Sequence, residues 1–142
     1  MLTTVQSEFI RELKTRGPWA IISAENATLP HQLNNVRTAQ LRAILVNELR
    51  CDPLDLTGRW ARSREASFLA SVSIFDAVPL AARFNQDWVI TNSALVSCDG
   101  LGTHYRILDI REARDSDDLW SEIELLDGWF RFVIEFSKEE SK

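Results

Sequence analysis

The chain has 142 residues, 45% apolar and 26% charged, the make-up of one globular domain that can bury a core without disulfide or metal support. A net charge of −5, with no Lys/Arg run to offset it, argues against direct nucleic-acid binding. The first residues lack the basic and apolar regions of a signal peptide, and no apolar stretch is long enough to span a bilayer, so the expectation is no membrane and a cytoplasmic location.

Thr3-Thr4-Val5-Gln6 has the form of a capping box, and Val5, Phe9, Ile10 and Leu13 recur at helical spacing until Gly17-Pro18 stops the helix. The apolar run 19–24 reads as a buried strand and 25–30 as a loop. A long helix is expected from His31 to Arg50, with Leu33, Leu41, Ile44, Leu45 and Leu49 as its core stripe. Cys51 to Gly58 reads as a turn-rich connection, with extended chain around Trp60 and a strand over 65–73. Ser73 or Asp76 caps a third helix presenting Ala77, Leu80, Ala81 and Phe84, in which Pro79 is tolerable as a first-turn residue.

Asp87–Asn92 is a further strand, and 94–97 can pair with 105–110 around Cys98 to Gly102. The C-terminal segment reads two ways. Residues 117–126 carry helical caps and spacing, whereas Phe130, Phe132, Ile134 and Phe136 alternate after Asp127-Gly128 as a hairpin strand would; the hairpin is favoured. The expected fold is therefore α+β: an N-terminal helix, then a βαββαβ-like two-layer sandwich, then a C-terminal β-hairpin or helix extension. Residues 1–142 form a single domain, with a core over 19–92 and an extension over 93–136.

Several residues carry a pattern. Ile22-Ser23-Ala24-Glu25-Asn26 is followed by Asn34-x-x-Arg37-x-x-x-Leu41, then Gly58-x-Trp60, Glu65-x-Ser67-Phe68-Leu69 and Leu80-Ala81-x-x-Phe84-x-Gln86. Over roughly half the chain this resembles the bacterial domain-of-unknown-function 3293 family. The chain departs from it at Ser23 (Thr in the family), Ala27 (Pro), Asn85 (Gly) and Gln32 (Glu). The resemblance implies a compact α/β domain and brings no activity with it.

Asn34 and Arg37 continue the apolar stripe of the long helix, so both must find partners. With Asn26, Glu65, Ser67 and Gln86 they can line a polar ligand pocket at strand ends, Arg37 holding a carboxylate or phosphate and Glu65 a donor. The competing, structural reading is an internal Arg37–Glu65 ion pair, with the amides satisfying loop backbone. His31 and His104 read as surface or capping residues, and no G-x-S-x-G elbow is present. Gly100-Leu101-Gly102-Thr103 reads as a hairpin turn. Cys51 and Cys98 lack metal or redox spacing and read as free buried thiols, with a disulfide left open. Asp115, Asp117 and Asp118 lack the spacing of a calcium loop. No catalytic residue, metal or cofactor is expected.

The first functional expectation is thus a noncatalytic acidic protein-interaction domain, an inhibitor or adaptor of the bacterial mobile-element or phage-related kind. It would dock on a basic partner surface through Asp115, Asp117, Asp118, Trp120 and Glu122. The alternative is a small-molecule or nucleotide-binding domain, with scope for hydrolysis, built on the pocket around Asn34, Arg37 and Glu65. A third reading is a structural subunit that pairs as a homodimer through its aromatic C-terminal hairpin.

Overall fold

The computed structural model describes residues 1–60 and 63–141. Helix α1, Thr4–Thr15, opens with the capping box: the Gln6 amide donates to Thr3 Oγ1 (3.1 Å) and the Thr3 amide to Gln6 Oε1 (3.0 Å). Helix α2 spans His31–Ala43 and runs into a π-helical turn at Ile44–Glu48; helix α3 spans Ile74–Arg83 behind its N-cap, Ser73.

The described strands are β1 Ala20–Ile22, β2 Leu54–Trp60, β3 Ser63–Ala70, β4 Trp88–Thr91, β5 Ala94–Ser97, β6 His104–Glu112, β7 Trp120–Leu125 and β8 Gly128–Phe136. They close into one antiparallel barrel in the circular order β1-β3-β2-β7-β8-β6-β5-β4. This overturns the two-layer sandwich. The elements from β1 to β4 do follow one another as strand, helix, strand, strand, helix, strand, but β1 is not an edge. Ala20 pairs with Ala70 of β3 on one side and Thr91 of β4 on the other. The C-terminal segment then forms a hairpin, which is not an extension but two staves of the wall. Its strand β7 pairs with β2, and β8 pairs with β6. Leu125 opposes Gly128 across a turn at Leu126-Asp127, and Gly128 takes φ 122°, a value open to glycine.

Alternation along the strands divides the apolar residues into two cores. Ile21, Leu56, Leu69, Ile110, Ile123, Phe130 and Phe132 point into the lumen, where Phe9, Ile10 and Leu13 of α1 plug one end. Phe9 meets Phe132 edge-on at 5.3 Å between centroids, and Trp19 Nε1 donates to the Leu13 carbonyl at 2.9 Å, pinning the plug. On the outer wall Ala20, Ile22, Phe68, Ala70, Val89, Ala94 and Val96 pack beneath Leu41, Leu45, Ala77, Leu80 and Ala81 of the helical layer.

Two details of the helices differ from expectation. The inward stripe of α2 runs through Asn34 and Leu41 to Leu45, so Leu33, about 100° round the axis, faces out and is 50% exposed. Pro79 lies deeper than the first turn because the helix starts at Ile74. Its missing N–H leaves the carbonyl of Phe75 without a helical partner, at a residue open to water. Cys51 and Cys98 are free, half-buried against the outer core.

Candidate functional site

The barrel end opposite α1 holds a cavity of about 150 Å³. Its walls are Ile21, Ile90, Leu95, Trp88, Phe132, Ile134 and Phe136, and its polar lining includes Ser23, Glu65, Ser67, Gln86 and Ser121, with Arg59 at the lining as well. Pairing register explains the constellation. Gly58 of β2 stands opposite Glu65 on one side and Ser121 on the other, and Ser121 opposes Phe132. These four belong to one inward ring, in which a residue without a side chain flanks a carboxyl and a hydroxyl. Ser67 lies one inward step further along β3, opposite Leu56.

Ser67 is 6% exposed, and its hydroxyl has no hydrogen-bond partner among the described residues. No side-chain oxygen or nitrogen among the described residues is both fully enclosed and unpaired. The Ser67 hydroxyl is therefore open to the space it lines. Ser121, half-buried, likewise has no side-chain partner among the described residues.

Glu65 is half-buried, and its carboxyl is pushed from the ordinary value of 4.5 to about 7. Burial is the main cause, the nearby charge of Glu25 adds to it, and the Ser23 hydroxyl pulls partly the other way. No lysine or arginine forms an ion pair with Glu65 or Glu25 among the described residues. Because the folded state holds this proton more tightly than the unfolded chain, Glu65 favours folding below about pH 4.5, and that contribution is lost as pH rises through about 7. Glu65→Gln should therefore gain in melting temperature relative to the native protein as pH is raised from about 5 to about 8. A gap that stays constant across that range, in melting curves of both proteins, would contradict the shift.

The six residues expected in the polar pocket separate into two groups. Glu65, Ser67 and Gln86 line the lumen. Asn26, Asn34 and Arg37 do not; they hold the loop that follows Ser23, a residue of the lining. Asn34 Oδ1 accepts from the Asn26 amide (2.9 Å) and its Nδ2 donates back to the Asn26 carbonyl (3.0 Å). Arg37 Nε donates to the Ala24 carbonyl (2.7 Å), its Nη2 donates to the Phe84 carbonyl, and its guanidinium lies 5.7 Å from the Phe84 ring centroid. No ion pair joins Arg37 to Glu65 among the described residues. Gln86 Nε2 completes the frame through the Glu25 carbonyl (2.9 Å), and the Glu25 carboxylate accepts from the Ala66 amide.

The acidic segment is braced from within. Arg111 grips Asp117 with two hydrogen bonds (2.8 and 2.9 Å) and reaches Glu135 at 3.0 Å, which holds the Asp117 carboxyl well below the usual carboxylate range. Glu122 accepts from Arg131 (2.7 Å), and that guanidinium covers Trp120 at 4.1 Å, leaving the indole 5% exposed. Asp115 and Asp118 are exposed. No group of three or more His, Cys, Asp or Glu able to hold a metal ion is found among the described residues. No helix among them is long and apolar enough to cross a membrane.

No family model and no curated protein matches the chain.

Proposed function

We propose that the protein binds a small molecule in the open end of its barrel, with Glu65, Ser67 and Ser121 fixing the ligand's polar group and the aromatic wall holding its body. The observation that carries this reading is the hydroxyl of Ser67, a buried residue on the wall of the cavity, which has no hydrogen-bond partner among the described residues. The hydroxyl opens onto the cavity beside Ser23, Glu65 and Ser121, so a guest with a polar group meets hydrogen-bonding capacity there that no described protein group takes up. An eight-stranded barrel has room for its own side chains or for one small ligand. A cavity of about 150 Å³ matches the space that accepts a benzene-sized guest.

The docking reading has less behind it. Asp117 and Glu122 are engaged by arginines of the same chain, and Trp120 is covered, so its support reduces to exposed Asp115 and Asp118 and the net charge. The residue pattern that resembles the bacterial family takes a use under the lumen reading, since Gln86, Glu65 and Ser67 line the cavity while Asn34 and Arg37 hold the loop after Ser23. Asn85, at a family glycine position, adopts φ 60°, a left-handed conformation that asparagine tolerates.

Ligand-observed NMR with a panel of single-ring fragments tests the reading. At least one fragment should bind with a Kd between about 1 mM and 1 µM, as so small a ligand allows. Ser67→Leu, which fills the cavity with an apolar side chain, should abolish that signal while leaving the far-ultraviolet circular dichroism unchanged. Absence of binding by every fragment, or equal binding to Ser67→Leu, would overturn it.

A further inference from the structure

Resting on that reading, we propose that the lumen selects a protonated amine carried on a body of about one ring, with the Glu65 carboxylate as its counter-ion and the Ser67 and Ser121 hydroxyls as further acceptors. The inward-facing polar groups can all accept, and few are committed to doing so. Gln86 gives its Nε2 to the carbonyls of Glu25 and Phe84, which leaves its Oε1 as the end still able to accept. The hydroxyls of Ser67 and Ser121 are unpartnered among the described residues. A primary ammonium brings three N–H donors to such a set, and its charge is favourable beside the aromatic rings of Trp88 and Phe136 in the lining.

The charges around Glu65 agree with this choice. From the loop after β1 it faces Glu25, a like charge held in place by the Ala66 amide. From the residue just after β1 it faces the Ser23 hydroxyl, from β7 Ser121, and from the segment after α3 Gln86. Arg59 of β2 also lines the cavity, but its backbone pairs with Arg64 and Trp120, one residue out of step with the inward ring. Two carboxyl groups at one mouth repel each other when both are ionised, and a bound cation relieves that repulsion. Uptake of the amine then releases the Glu65 proton to solvent wherever Glu65 was protonated, so binding strengthens as pH rises.

Isothermal titration calorimetry of the whole protein with benzylamine and with its neutral counterpart benzyl alcohol, near pH 6 and pH 8, tests the assignment. Benzylamine stays protonated throughout this range. Its affinity should be about tenfold higher at pH 8 than at pH 6, because Glu65 passes from roughly one-tenth to roughly nine-tenths ionised. At pH 8 it should exceed that of benzyl alcohol by at least tenfold. Glu65→Gln should flatten the pH dependence and bring the two probes level. If benzyl alcohol binds the native protein as well as benzylamine does, without pH dependence, the amine assignment falls and the lumen reading survives. If neither probe binds the native protein, the amine assignment falls, and the fragment panel decides the lumen reading separately. The native-protein pH series needs no variant, so a misfolded Glu65→Gln would leave the outcome decided.

Discussion

Phe132→Ala should destabilise the protein by about 3–5 kcal/mol, the largest loss expected from any one truncation in the barrel. The ring is fully buried in the lumen, meets Phe9 of the plug edge-on and stacks against Phe130 at 6.2 Å. Its removal takes away one of the plug's two aromatic contacts with the wall and leaves a hole in the lumen. Phe132→Leu, which keeps most of the volume, should lose no more than about 1.5 kcal/mol. Urea unfolding of the three proteins at one pH reads the difference. A loss below about 1 kcal/mol for the alanine variant would mean that the interior around this ring is not close-packed.

Arg37→Met should cost about 2–4 kcal/mol, although methionine keeps much of the apolar stem. The carbonyls of Ala24 and Phe84 lose their shared donor, and the contact with the Phe84 ring goes as well. These two carbonyls follow β1 and α3, beside the lining residues Ser23 and Gln86. The variant should therefore weaken any lumen ligand along with stability. Lysine at the same position restores the charge but not the fork that reaches both oxygens, so Arg37→Lys should recover only part of the loss. Denaturant unfolding together with the fragment titration checks both effects. An Arg37→Met protein as stable as the native one would remove Arg37 from the frame of the mouth.

Local structure was more legible in the sequence than architecture. The capping box at Thr3, a strand within 19–24, an α3 cap at Ser73 or Asp76 (Ser73 in the structure) and the pairing of β5 with β6 were each readable, because each depends on residues a few positions apart. Barrel closure depends on β1 finding partners at Ala70 and Thr91, and on β2 finding β7, more than sixty residues on. No local period encodes such pairings. The same limit applied to the site. Glu65, Ser67 and Gln86 could be singled out as polar groups bordering apolar runs, but Arg37 finds backbone carbonyls where a carboxylate was expected. Ser121 was hidden because Trp120–Leu125 also fits a helical pattern; read with a period of two, it places Ser121, Ile123 and Leu125 on one face.

The place of the last hairpin bears on how the chain is made. Strands β1 to β6 already lie side by side as β2-β3-β1-β4-β5-β6, with β7–β8 alone bridging the two flanks. As a ribosome delivers the chain N-terminus first, residues up to Glu112 emerge as an open curved sheet with unpaired backbone along both β2 and β6. For as long as Trp120–Phe136 has yet to appear, those flanks are templates for any other extended chain nearby. The interval of greatest exposure for this barrel is thus the one between the emergence of Glu112 and that of Phe136, and a nascent chain stalled before Trp120 is the species that chaperones would have to hold.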